Sequence, residues 1–253
     1  MTDSPKPGVM LITGAGRGIG RAIAEKAAAE GYNLCLNYHK NKKAVKELTE
    51  SLKAMPIEVS VVQADISIED DVLRLFNTVD TEFGTLDCLV NNAGILMGGK
   101  KLEEYNLDRI NRVLATNITG AMLCAREAVK RMSTRRGGQG GSIVNISSIA
   151  AILGGANEYI DYATSKGAID SMTVGLAREA AADGIRVNAV RPGLIYTDIH
   201  ASGGDPERVD RLKSAVPMQR GGSPEEVANA VIWLASKEAS YVTASFINVS
   251  GGR

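Results

Sequence analysis

The sequence predicts an α/β fold, a parallel sheet with helices on both faces, and three observations predict it. Apolar runs of strand length alternate with longer helical patterns along the chain. The first run, Val9-Met10-Leu11-Ile12-Thr13, stops at Gly14-Ala15-Gly16-Arg17-Gly18-Ile19-Gly20, after which Ala22, Ile23, Ala27 and Ala28 recur at helical spacing. With 253 residues, 44% of them hydrophobic, the chain can bury the core such a sheet needs. One domain over 1–253 is expected, without internal repeat, low-complexity tract or linker.

The glycine turn between first strand and first helix lets backbone approach a pyrophosphate, whose charge is met by free N–H groups at the helix start. Leu34-Cys35-Leu36-Asn37-Tyr38 makes the second strand and runs into His39-Lys40-Asn41-Lys42-Lys43, with no acid between Gly31 and Glu47. An acidic residue there would bind a ribose 2′-hydroxyl, and a basic one a 2′-phosphate. A helix over about 41–55 leads to a strand over 57–63 that ends at Asp65. That carboxylate is placed to accept from an adenine amine or to cap the next helix (about 69–83), although Ser67 is the expected cap. A fourth strand, Leu86 to Val90, closes on Asn91-Asn92-Ala93-Gly94. The stretch 107–136 is long for one helix, and Asn117 and Gly120 in its middle predict a π-type irregularity or a freed carbonyl. The fifth strand is Ser142 to Ile146. After a long helix closed by Gly184, Ile185 to Val190 makes the sixth, ended by Pro192-Gly193. Leu194 to Gly222, 29 residues without periodicity, reads as a mobile lid. Ser223-Pro224-Glu225-Glu226 starts the last helix, and Ser245 to Val249 is the final strand.

Composition excludes several function classes. Lysine and arginine total 29, as do aspartate and glutamate, so nothing draws the chain as a whole to nucleic acid or an anionic membrane. His39 and His200 stand 161 positions apart and no Cys-x-x-Cys occurs, so no metal site is expected. Cys35, Cys88 and Cys124 each lie in apolar runs, as buried thiols of a reducing compartment do. Met1 to Gly8 has no apolar signal core, and no run approaches the ~20 residues of a membrane span. A cytoplasmic protein acting on a small molecule is expected.

The chemistry concentrates at Tyr162-Ala163-Thr164-Ser165-Lys166. A spacing of four sets phenol and ammonium on one helix face. A cation beside a tyrosine favours the phenolate and lowers its pKa from about 10, making it a usable proton shuttle. Ser147-Ser148 follows the fifth strand, so a serine hydroxyl can face Tyr162 with a substrate oxygen between them.

These residues resemble the classical short-chain dehydrogenase/reductase family over nearly the whole chain. The matching features are Thr13-Gly14-x-x-x-Gly18-x-Gly20, Asp65, Asn91-Asn92-Ala93-Gly94, Asn117, Ser148, Tyr162-x-x-x-Lys166, and Pro192-Gly193 with Thr197. The closest resemblance is to bacterial members of the glucose-1-dehydrogenase and 3-oxoacyl-carrier-protein-reductase type. It implies a single Rossmann-type, doubly wound domain of seven parallel strands, assembled as a homotetramer. It further implies that Tyr162 is the general acid/base, that Ser148 orients the substrate carbonyl, and that Lys166 lowers the tyrosine pKa and holds the nicotinamide ribose. Asn117 would keep a water linking Lys166 to solvent. Gly14, Arg17, Gly18, Ile19, Gly20, Asn37, His39, Lys40, Asp65, Ile66, Asn91, Ala93, Gly94, Tyr162, Lys166, Pro192, Gly193, Ile195 and Thr197 would line the dinucleotide site. In similar members a basic residue at the place of Arg17 reaches a 2′-phosphate. With no acid after the second strand, NADP(H) is the expected cofactor and NAD(H) the alternative.

The family often spaces its serine and tyrosine thirteen apart, whereas Ser148 and Tyr162 are fourteen apart and Tyr159 lies at eleven. An extra residue in Gly154 to Glu158 explains this and leaves open whether Ser147 or Ser148 faces the substrate. Leu96, Met97, Leu153, Tyr159, Tyr196, His200 and Met218 flank the site segments as pocket walls. Two other functions compete with a carbonyl reductase or alcohol dehydrogenase. A dinucleotide sensor would not need Ser148, Tyr162 and Lys166 together, and a sugar-nucleotide epimerase needs more substrate domain than the roughly 60 residues after Pro192.

Overall fold

The computed structural model describes residues 8–253, so the reading of Met1 to Pro7 as lacking a signal core lies outside the described residues. Strands β1 (Val9–Ile12), β2 (Asn33–Tyr38), β3 (Val59–Gln63), β4 (Cys88–Asn91), β5 (Gly141–Ile146), β6 (Ile185–Pro192) and β7 (Phe246–Val249) form one sheet. Its order is β3-β2-β1-β4-β5-β6-β7, and every neighbouring pair is parallel. The order reverses at β1, where Ile12 pairs with Leu36 on one side and Val90 on the other. A crevice opens beyond the carboxyl ends of the strands at that switch point.

Helices α1 (Gly18–Ala29), α2 (Lys42–Leu52), α3 (Glu69–Glu82), α4 (Leu107–Leu114), α5 (Ala121–Met132), α6 (Ala150–Leu153), α7 (Ile160–Ala180), α8 (Ile199–Ser202), α9 (Arg208–Leu212) and α10 (Pro224–Ala235) surround the sheet. Side chains alternate across a strand, so β1 feeds both faces. Met10 and Ile12 pack with Ile23, Leu48 and Val231 on the side of α1, α2 and α10. Val9 and Leu11 pack with Leu75, Phe76, Cys124 and Ala177 on the side of α3, α5 and α7. Both faces of the central strands β1, β2, β4 and β5 are covered, which is why they read as apolar runs, whereas the edge strands β3 and β7 are partly exposed. Cys35, Cys88 and Cys124 are free and buried, and burial pushes each thiol up to about 12. No helix among the described residues is long and apolar enough to cross a membrane.

The stretch 107–136 divides as α4, a π-helical turn Ala115–Gly120, α5 and a 3-10 turn. Gly120 is required there, because a Cβ would stand 2.8 Å from the Ile66 side chain. Ser67 does not cap α3. That helix starts from Ile68 without a side-chain cap, while the Ser67 hydroxyl donates to Asp65 at 2.7 Å. Three acids, Glu69, Asp70 and Asp71, occupy its first turn and meet the positive end of the helix dipole instead. The segment 194–222 carries more secondary structure than its lack of periodicity suggested, namely α8, α9 and a bridge between Ile195 and Gly222. Elements this short leave no repeating pattern to read. α10 begins as expected, with a capping box between Ser223 and Glu226.

Candidate active site

A cleft of about 1210 Å³ runs along the carboxyl ends of the strands from the glycine turn to Tyr162. At its first end, Gly14 and Gly18 take left-handed φ of 66° and 53°. A Cβ at Gly20 would lie 2.4 Å from the Gly14 carbonyl, so turn and helix close on each other only without side chains. Two asparagines fix this turn. Asn37 Oδ1 accepts from the Gly14 amide at 3.2 Å while its Nδ2 donates to the Ala64 carbonyl at 3.0 Å. Asn92 Nδ2 donates to the Thr13 and Gly14 carbonyls at 2.8 and 3.1 Å, and the Thr13 hydroxyl accepts from the Asn92 and Ala93 amides. Helix α1 has no side-chain cap and no acid in its first turn, leaving its amides to meet an anion. Arg17 at that start is exposed. The side chains of His39 and Asp65 approach to 3.4 Å at the ends of β2 and β3.

At the other end, Ser147 and Ser148 leave β5 in different directions. The Ser147 hydroxyl is buried and donates to Asp170 at 2.6 Å. The Ser148 hydroxyl stands beside the Tyr162 phenol and accepts from the Ala150 amide at 3.1 Å. Tyr162 rises from the first turn of α7, and Lys166 lies one turn on, 4% exposed, its Nζ donating to the Ile146 carbonyl at 2.7 Å. Burial lowers the Lys166 ammonium to about 8, with Asp170 opposing. Burial pushes the Tyr162 phenol up to about 12, with the Ser148 hydroxyl opposing. The lowering expected from Lys166 therefore does not govern the phenol; the ammonium is turned to a carbonyl, 5.6 Å from the ring centre. Tyr162 keeps its ring partly open to the cleft, and water there offsets part of the rise.

The start of α7 is anchored by a buried ion pair. Asp161 accepts from Arg109 Nε at 2.7 Å and from the Tyr105 hydroxyl at 3.2 Å, and Arg109 also donates to the Gly98 carbonyl at 2.6 Å. This fixes the residue before Tyr162 to α4 and to the loop after β4. Pairing across 52 positions leaves no local trace in sequence.

Of the residues expected to line the site, Gly14, Arg17, Gly18, Ile19, Gly20, Asn37, His39, Lys40, Asp65, Ile66, Ala93, Gly94, Ser148, Tyr162, Lys166, Pro192, Gly193, Ile195 and Thr197 do border the cleft. Asn91 does not; its Nδ2 donates to Asn145 Oδ1 at 3.0 Å inside the sheet. Asn117 also lies behind the wall, 1% exposed. Its Oδ1 accepts from the Ile95 amide, and its Nδ2 donates to the Ile95 carbonyl and the Ser165 hydroxyl. Asn117 thus pins the π-turn to the strand exit beside Gly94, where a Cβ would come within 3.6 Å of Lys166 Nζ. Leu96, Met97, Leu153, Tyr159 and His200 border the cleft, whereas Tyr196 and Met218, 46% and 60% exposed, do not. Arg208 and Glu158 were not anticipated as lining residues, and no spacing signal connects them.

The family model described as enoyl-(acyl carrier protein) reductase matches residues 14–253. The chain is 55% identical over 245 residues to the uncharacterized oxidoreductase YgfF of Escherichia coli (strain K12), covering 97% of this chain and 99% of that one. It is 36% identical over 244 residues to the 3-oxoacyl-[acyl-carrier-protein] reductase FabG of Staphylococcus aureus (strain Mu50), covering 96% of each. A short-chain dehydrogenase from Burkholderia cenocepacia J2315, solved in complex with NADP, superposes with a TM-score of 0.90 at 30% identity, covering 98% of this chain and 99% of that one. With its parallel Rossmann-type sheet and its match along almost its whole length, the chain belongs to the short-chain dehydrogenase/reductase family. It is an oxidoreductase acting on CH–OH groups.

Proposed function

We propose that this protein is an NADP(H)-dependent oxidoreductase that interconverts a carbonyl and a secondary alcohol, with Tyr162 as general acid/base. The observation that carries this is the meeting of the Ser148 hydroxyl and the Tyr162 phenol at one end of a cleft whose other end is a side-chain-free glycine turn. The turn fits a dinucleotide, since its glycines leave the α1 amides open to a pyrophosphate. Gly14, Gly18, Ile19 and Gly20 would hold that group, Asp65 and Ile66 the adenine, and Lys166 and Thr197 the nicotinamide side. When bound, the nicotinamide supplies or takes the hydride.

The chain's own part is placement and one proton. Ser148 donates a hydrogen bond to the substrate oxygen and holds it against the phenol. In reduction Tyr162 gives its proton to that oxygen, and in oxidation it takes the proton back. Buried Lys166 supplies the nearby positive charge that favours the phenolate when the proton leaves. Leu96, Met97 and Leu153 keep water from the reacting atoms.

NADP(H) is favoured over NAD(H) because the exposed Arg17 and Lys40 flank the end of β2, where no carboxylate follows. A structural neighbour solved in complex with NADP supports the same choice. The chain works as one catalytic unit over 1–253, as a cytoplasmic homotetramer, with 194–222 closing over the substrate. The test is a spectrophotometric screen of NADPH oxidation by ketones, quinones and acetoacetyl thioesters, paired with NADP reduction by sugars and secondary alcohols. Turnover with at least one class is expected. Tight dinucleotide binding with no turnover anywhere in the panel would overturn catalysis in favour of sensing.

A further inference from the structure

The segment between β6 and α10 crosses to the catalytic helix at one buried point. Arg208, at the start of α9, is 5% exposed. Its guanidinium grips the Glu158 carboxylate with both arms, Nη1 to Oε1 at 2.9 Å and Nη2 to Oε2 at 2.6 Å. Nη2 also donates to the Tyr159 hydroxyl, and the guanidinium lies 4.9 Å over the Tyr159 ring. Tyr159 is the N-cap of α7, and its ring meets that of Tyr162 edge-on, the centroids 5.7 Å apart. The Glu158 carbonyl accepts from the Lys100 amide at 2.9 Å, which ties the same point to the loop after β4. One side chain thus joins the segment over the cleft, the loop before α7 and the ring beside the acid/base.

We infer that Arg208 is the latch of the substrate side of the cleft, a positioning residue that holds the 194–222 segment closed through Glu158 and sets Tyr159 against Tyr162. A bidentate guanidinium–carboxylate pair is directional, so it fixes angle as well as distance. Substrate entry then requires that the pair part and reform, and the lid and the wall of the site move together. This rests on the reading of Tyr162 as the acid/base, but the latch itself is measurable without turnover.

The experiment compares wild type, Arg208→Gln, Arg208→Lys and Glu158→Gln. Hydrogen exchange in the presence of NADPH should speed up about tenfold across 199–212 in Arg208→Gln, with NADPH affinity changed less than about twofold. Arg208→Lys, which keeps charge but loses the fork, should fall between. With ethyl acetoacetate as carbonyl probe, KM should rise by about tenfold while kcat falls less. Glu158→Gln acts on the same pair from its more exposed side, at 36% against 6% for Arg208, so it tests the latch if Arg208→Gln does not fold. Wild-type exchange over 199–212 in a folded Glu158→Gln or Arg208→Gln protein would overturn the latch. Loss of NADPH binding in wild type would instead overturn the cofactor reading.

Discussion

Lys166 stands one helical turn from Tyr162 yet gives its hydrogen bond to the Ile146 carbonyl, with its Nζ 5.6 Å from the centre of the tyrosine ring. The two groups are pushed apart by the same burial, the amine down to about 8 and the phenol up to about 12. Each is held in its neutral form over a wider pH range than in water.

Stability should carry the signature of that amine. Its pKa falls from 10.5 to about 8 on folding, so between those values the unfolded chain binds more protons, and this group's contribution to stability increases with pH. The three buried thiols and Tyr162 are raised and work in the opposite sense above about pH 9 and 10, but they are common to wild type and Lys166→Met. Urea unfolding at pH 7 to 10 should therefore show wild type gaining on Lys166→Met as pH rises beyond 8. A pH-independent difference between the two proteins would contradict this.

Tyr162→Phe should bind NADPH normally and lose at least the ~10²-fold in turnover typical of a missing acid/base. Tyr159→Phe, whose hydroxyl is engaged by Arg208 and Glu158, should lose far less. Steady-state kinetics of both variants decide the register, and a reversed order would move the acid/base to Tyr159.

Arg17→Ala should weaken NADPH binding by tenfold or more, about 1.4 kcal/mol, and leave NADH within about twofold. His39→Asp, which adds a carboxylate beside the ribose, should shift preference toward NADH. Fluorescence titrations with both cofactors are the measurement. A wild-type kcat/KM higher with NADH than with NADPH would refute the assignment.

Gly20→Ala should abolish dinucleotide binding and lower the melting temperature, because the added Cβ lands 2.4 Å from the Gly14 carbonyl and 2.5 Å from Asn92 Nδ2. Backbone cannot yield there without opening the turn. Unchanged NADPH affinity in a folded variant would rule out the turn as the pyrophosphate site.

The strand and helix order was legible because both faces of the central strands β1, β2, β4 and β5 are buried, so that each reads as a mostly apolar run with a polar or glycine stop. The π-turn was legible from Asn117 and Gly120, two residues that weaken an α-helix without ending it. Contacts between distant polar groups were not. Nothing near Asn91 in sequence says that its amide points at Asn145 and away from the cleft, and nothing near Glu158 points to Arg208. Ser67 misled because a hydroxyl before a helix usually caps it, while here the cap position falls on Ile68, one residue on, and the Ser67 hydroxyl turns back to donate to Asp65. The short α6, α8 and α9 escaped for want of length.

A π-turn holds one more residue than the α-turn it replaces, and each helical residue advances the phase by about 100°. The segment Ala115–Gly120 thus takes up one extra residue while α4 presents Arg109 to Asp161 and α5 presents Cys124 and Ala128 to the core. Removing a single residue from α4 or α5, where no wide turn absorbs the change, would turn one half about 100° relative to the other. Either the ion pair behind Tyr162 or the apolar seam against the sheet would then face the wrong way. Tolerance to loss of one residue along this helix should therefore be confined to these six, of which Ala115, Thr116 and Ile118 are partly buried and Thr119 is exposed.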